Sequence, residues 1–182
     1  GHSITIEHLL THTSGIKSYT NTPDFMKMMR TDMTLEELVD SFKPYPMEFA
    51  PGTKFNYNNS AFVMLGLIIE KVSGMKYADF LKKNIFEPLG MDHTYFDMPS
   101  PIIPGRVAAY KKNGDHFENC DYISMTLPHA AGSMASTVDD MAKWDAALYT
   151  GKVIKQESLK KAWTPYTLKD GTSTGYGYGW AV

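Results

Sequence analysis

The longest apolar stretch of the chain runs over residues 61–69, with Glu70 and Lys71 the first charges to break it. Length and hydropathy predict a helix over 61–72, apolar nearly all round and therefore covered on every side by other elements. Asn59 or Ser60 is the expected N-cap, and Gly74 the residue that stops it. Shorter patterns predict further helices. One starts behind Thr5 and runs over 6–12, one covers 24–30, and one follows the Thr34/Glu37 capping box to about Phe42. Residues 77–86 form another, closed by Pro88 and Gly90. Thr137 caps a helix over 138–149 whose Val138, Met141, Trp144, Ala147 and Leu148 share one face, and a short helix follows over 157–163. Two segments read as β. Residues 106–110 and 115–119 flank Lys111-Lys112-Asn113-Gly114, whose Asn-Gly is a strong hairpin signal because a type I′ turn needs positive φ at both central residues. Residues 174–182 alternate glycine with aromatics at period two, which predicts a strand.

Composition narrows the function classes. At 182 residues and 43% hydrophobic, the chain holds one domain with a core of its own. A formal charge of −2 gives no field that would gather nucleic acid or an anionic membrane. Cys120 stands alone, so no intrachain disulfide forms. The run at 61–69 is too short to span a bilayer, and the chain opens without a basic segment or an apolar leader. The twelve methionines read as adaptable core filling.

The polar cluster before the apolar helix carries the first candidate chemistry. Tyr57 and Asn59 stand two apart in KFNYNN, so in extended backbone they face the same way. A phenol moves a proton when a neighbouring cation lowers its pKa, and a carboxamide offers a donor and an acceptor to an amide-like substrate. The same two residues also read as a packing tyrosine beside a helix cap, and spacing alone favours that simpler role. Three Ser-x-x-Lys strings occur, at Ser14/Lys17, Ser73/Lys76 and Ser158/Lys161. The first two place Gly directly after Ser at expected helix ends, where no helical turn brings the amine under the hydroxyl. The third lies on a solvated helix face. His8 and His12 have the i, i+4 spacing of paired zinc ligands, but Leu9 stands where the helical zinc motif needs Glu, and no third ligand is evident. Local hydrogen bonding is the better account of both, and no metal or other cofactor is expected.

Four blocks, in order, resemble the serine β-lactamase-like hydrolases of the class C type, a family that includes penicillin-binding DD-peptidases and esterases. They are ITIEHLLTHTSGI (4–16), FAPGTKFNYNN (49–59), FEPLGMDHT (86–94) and AGSMASTVDDM (131–141). The resemblance implies an α+β chain: the mostly helical middle portion of the β-lactamase/DD-peptidase fold, with the hairpin at 106–119 and the strand at 174–182. It implies a single domain fragment over 1–182, with Tyr57 catalytic and Asn59 substrate-binding. In such enzymes the serine of Ser-x-x-Lys attacks an acyl carbonyl, the lysine and the tyrosine relay its proton, and a Lys-Thr-Gly or His-x-Gly strand helps form the oxyanion hole. The nucleophile segment and the third motif are expected before Gly1 and after Val182, which would leave the 182 residues inactive alone. The family block places His129 at the cleft. The substrate class implied is a small acyl compound (lactam, peptide or ester), in a bacterial protein exported from the cytoplasm. An unpaired strand at 174–182 would invite a dimer or fray. The alternative reading is a non-catalytic helical module that binds a ligand or partner.

Overall fold

The computed structural model describes residues 3–182, a mostly helical body with two small antiparallel sheets. The helices are α1 (Ile6–Leu10), α2 (Phe25–Met28), α3 (Leu35–Phe42), α4 (Asn59–Ser73), α5 (Tyr77–Leu81), α6 (Glu87–Leu89), α7 (Val138–Leu148) and α8 (Gln156–Ala162). A π-helical turn (Lys82–Phe86) joins α5 to α6. The strands are β1 (Tyr95–Phe96), β2 (Tyr110–Asn113), β3 (His116–Asn119) and β4 (Met134–Ala135). β1 pairs with β4 and β2 with β3.

Helix α4 is the organising element. It packs against α1, α3, α5 and the 3-10 turns Tyr19–Asn21 and His129–Ala131. Its cap is Asn58, one residue earlier than expected: the side-chain carbonyl accepts from the Ala61 N–H at 2.9 Å while the side-chain NH2 donates to the Ile16 carbonyl. The expectation of burial on every side is corrected too. Only Ser60, Ala61, Val63 and Gly66 are buried, and Val72 is exposed. The buried side is built from small residues, because the 129–131 turn packs its side chains close against it. A Cβ on Gly66 would lie 2.6 Å from the Ala130 Cβ and 2.9 Å from His129 Nδ1. Around α4, Tyr19, Leu35, Leu38, Phe42, Val63 and Leu127 form the main core, and Tyr19 donates its hydroxyl to the Leu127 carbonyl at 3.0 Å. Leu81, Phe86 and Met91 form a second cluster that Trp144 and Phe96 cover.

Two of the sequence blocks have a plain physical purpose. Thr137 caps α7, and the buried Asp140 in its first turn accepts from the His93 N–H at 2.8 Å and the Thr94 hydroxyl at 2.9 Å. Thr94 also shares a 2.8 Å bond with Ser136, and Lys143 donates to Asp140 at 2.8 Å. That ammonium, first, and then the bonds from His93 and Thr94 hold the Asp140 carboxyl below its ordinary range. The FEPLGMDHT loop is thereby stapled to the STVDDM helix start. The expected apolar face of α7 is corrected accordingly. Ala147 and Leu148 are buried, but Val138 and Met141 are exposed, since hydrogen bonds rather than hydrocarbon anchor the first turn.

The hairpin forms, but its loop is shorter than the expected Lys111–Gly114 and its first strand lies later in the chain. Asn113 pairs with His116, so the two-residue loop is Gly114-Asp115, with positive φ at Gly114 alone; β2 starts at Tyr110 rather than Arg106. The expected strand over 174–182 does not form. Gly175 and Gly179 adopt φ of 63° and 78°, which breaks extended backbone, and one isolated bridge joins Tyr176 to Ala181. The segment folds back on the helices instead. Tyr178 N–H donates to the Ala162 carbonyl at 2.9 Å, Gly179 N–H to Leu10 at 3.2 Å and Gly177 N–H to Trp180 at 2.8 Å. These three backbone N–H groups are thus bonded within the chain.

Gly66→Ala tests the close packing under α4. Overpacking costs about 1–3 kcal/mol, against at most ~1 kcal/mol regained from helix propensity. Urea denaturation should show a net loss of stability with an unchanged m-value.

Candidate active-site wall around Tyr57

The site begins with a short helix that must stop. α1 is closed at its start by a Thr5/His8 capping box and ends at Leu10. His12 then takes a left-handed φ of 56°, a conformation in which histidine is among the better-tolerated non-glycine residues. The turn that follows is tied to residues 48–58. Gly52 N–H donates to the Thr13 carbonyl at 2.8 Å, Glu48 N–H to Gly15 at 2.8 Å and Asn56 N–H to His12 at 2.9 Å.

The left-handed turn drives the His12 side chain inward, where it is 1% exposed. Its Nδ1 accepts the Asn58 N–H at 3.0 Å, so the ring proton resides on Nε2, which lies 3.3 Å from the Tyr176 hydroxyl. Four aromatic rings surround the imidazole. Tyr57 is centred 4.2 Å away, Phe62 is stacked at 4.8 Å, Tyr176 lies at 4.9 Å and Phe55 meets it edge-on at 6.1 Å. Burial lowers the His12 pKa to about 4, so the ring is neutral at pH 7.

Tyr57 therefore presents one ring face to a fixed imidazole while the residue as a whole is 55% exposed. Asn58 points inward and caps α4, and Asn59 opens the helix on the other side. The Asn59 side-chain NH2 donates to Thr20 at 3.2 Å and its backbone N–H to Ser18 at 3.3 Å. Tyr57 is exposed, Asn58 buried and Asn59 half-buried.

The other candidates are dispersed. His12 lies beyond the end of α1 and His8 serves the capping box, so the i, i+4 face does not exist. Among the described residues no group of three His, Cys, Asp or Glu side chains is placed to hold a metal. Ser14 and Lys17 are separated by Gly15 at φ 76°, and Lys17 is paired with Glu48 at 2.8 Å. Ser73 is spent on the Ile69 carbonyl at 2.6 Å at the end of α4, with Lys76 3.6 Å from Glu70. Ser158 and Lys161 lie on α8 at an apolar hollow of about 460 Å³ lined by Trp144, Leu148 and Trp180. His129 was expected at the cleft. It packs against Gly66, between Tyr77 and Phe96, 4.0 Å from Glu70, on a hollow of about 340 Å³. Burial lowers its pKa.

His12, Asn58 and Tyr176 were missed as site residues. His12 carried a signal, since a histidine between a helix end and Thr-Ser-Gly invites a left-handed turn. Tyr176 carried none, because it arrives through 164 residues of intervening chain.

A sequence model of the beta-lactamase family matches residues 1–182, the whole chain. The chain belongs to the beta-lactamase family. It is 30% identical to a penicillin-binding protein of Bacillus subtilis (strain 168), over 98% of this chain and 43% of the relative. The chain thus spans less than half the length of the curated relative it matches. The crystal structure of a penicillin-binding protein from Bacillus halodurans superposes with a TM-score of 0.78 at 30% identity, covering 97% of this chain and 56% of that one. D-amino acid amidase from Ochrobactrum anthropi SV3, complexed with L-phenylalanine amide, superposes with a TM-score of 0.77 at 26% identity, over 97% and 53%. This beta-lactamase family chain therefore shares its fold with a penicillin-binding protein and a D-amino acid amidase. Among the described residues no helix is long and apolar enough to cross a membrane.

The buried His12 makes stability pH-dependent in a definite direction. A folded pKa of about 4 against 6.5 in the unfolded chain means that the unfolded state binds more protons between those values. The contribution is complete above pH 6.5 and is lost as pH falls through 4. It amounts to on the order of 3 kcal/mol for a shift of this size. Urea midpoints measured from pH 8 to pH 4 should fall across this window, and His12→Asn should flatten the fall.

Proposed function

We propose that this chain supplies the Tyr-x-Asn wall of the active-site cleft of a serine acyl hydrolase, with Tyr57 as the proton-relaying phenol and Asn59 as the group that holds the substrate amide. The observation that carries the reading is the mounting of Tyr57. One face of its ring rests on a buried, hydrogen-bonded imidazole, while the residue stays open to solvent. A packing tyrosine would bury its ring. A proton-relaying one needs a fixed ring and an accessible oxygen. Asn59 leads the same helix, and its side-chain carbonyl can still accept from a substrate N–H while its NH2 is held by Thr20.

In this reading the nucleophilic serine and its lysine come from a Ser-x-x-Lys segment outside the 182 residues, and so does the strand that completes the oxyanion hole. Ser14 and Ser73 are bonded to nearby backbone groups, and Lys17 and Lys76 are paired with Glu48 and Glu70, which supports that division. Groups that act as a unit lose nearly all activity when one is absent, so the 182 residues alone hydrolyse neither lactam nor ester. The substrate class is an acyl compound — lactam, peptide or ester — and the complete protein works outside the bacterial cytoplasm.

Two measurements test this. The 182-residue chain incubated with benzylpenicillin should show no mass increase, and an acyl adduct on any of its serines would contradict the reading. In the protein expressed from the complete reading frame, Tyr57→Phe should lower kcat by about 10²–10⁴-fold with folding intact. Wild-type turnover in that variant would refute the role given to Tyr57.

A further inference from the structure

The geometry points to His12 as a positioning residue for the Tyr57 phenol, acting as a neutral imidazole clamped between the Asn58 N–H and the Tyr176 hydroxyl. This rests on the role proposed for Tyr57. Three observations converge. The His12 ring is the platform for Tyr57, with centroids 4.2 Å apart. Nδ1 fixes the backbone next to Tyr57 through the 3.0 Å bond from Asn58. Nε2 meets Tyr176, whose own ring stands 4.9 Å from the imidazole, so that two phenols flank one histidine.

Each attachment limits a different motion. The Asn58 bond sets the φ/ψ of the extended residue before α4, and hence the direction of the Tyr57 Cα–Cβ bond. Ring contact limits swinging about χ1. The Tyr176 bond keeps the imidazole from rotating, because a flipped ring would lose both partners. Asn58 is also the cap of α4, so the clamp transmits the position of the helix to the phenol two residues before the helix begins. The charged groups near His12 are few. The facing groups are Phe55, Tyr57, Phe62 and Tyr176, of which only the two phenols titrate. A proton added at Nδ1 would meet the Asn58 N–H head-on, so the clamp requires the neutral form.

A misplacement of about 1 Å in a reacting group costs on the order of 10²-fold in rate, so loosening the clamp should show in turnover rather than in binding. The test uses the protein from the complete reading frame. His12→Asn keeps a left-handed φ and an acceptor for the Asn58 N–H, but removes the ring platform. Active sites are counted by burst titration with an acylating substrate, and kcat is expressed per titrated site. The expected result is a fall in kcat of about 10- to 100-fold, with KM within about twofold. An unchanged kcat per site, even with fewer folded molecules, overturns the inference, because it assigns His12 to stability alone. Loss of turnover in Tyr57→Phe together with normal per-site kcat in His12→Asn would overturn this inference and leave the role of Tyr57 standing. Normal turnover in Tyr57→Phe overturns both. A second readout needs no variant. In the ¹⁵N spectrum of the 182-residue chain, His12 should show a bare Nδ1 and a protonated Nε2 from pH 8 to pH 5. The opposite tautomer, or an imidazolium at pH 6, overturns the clamp.

Discussion

The constraint on which the site depends is the burial of an uncharged histidine at the end of a five-residue helix. His12 has given up water, and burial keeps it neutral with a pKa of about 4. What it receives in return is local and directional: a backbone N–H from Asn58, a phenol from Tyr176 and contact with four aromatic rings. The same imidazole thus joins three distant parts of the chain, namely the turn after α1, the segment leading into α4 and the folded-back tail. Without it the polar residues before α4 would be an ordinary loop.

A second constraint sets where α4 can lie. Its buried side is made of Ser60, Ala61, Val63 and Gly66, which lets the turn at 18–21 and the turn at 129–131 approach its backbone. Ser60 accepts the Tyr19 N–H at 2.8 Å at one end, and Gly66 admits Ala130 and His129 further along. The helix is a spine with contacts on one side and partly open flanks. It carries the Tyr-x-Asn cluster at its first turn and the unrelated His129 hollow nearer its other end. The Asp140 staple plays a comparable part for α7, in that a buried carboxylate replaces apolar packing and fixes two loops at once.

Much of the architecture was legible in the residues. The Thr5, Thr34 and Thr137 caps announced their helices because capping is a local event, and Gly74 marked the end of α4 for the same reason. What could not be read was long-range. Period-two alternation over 174–182 looks the same whether glycine sits in a strand or takes positive φ, and only contact with Ala162 and Leu10 decides between them. The apolar face of α7 failed for a similar reason, since nothing in the sequence announces that Asp140 will be buried. The hairpin's first strand and loop were misplaced because its strands are exposed on both faces, so no buried side pins the register.

Family membership and fold are settled by the match over the full chain, and they agree with the helical body described above. The role of Tyr57 is a claim about geometry in a completed cleft. The most direct measurement is a crystal structure of the protein from the complete reading frame with its serine acylated by a lactam. The account predicts the Tyr57 oxygen within hydrogen-bond reach, roughly 2.6–3.2 Å, of the acylated serine oxygen, with the ring still resting on His12. A phenol turned away from the acyl group, with neither direct contact nor a single bridging water, would contradict it.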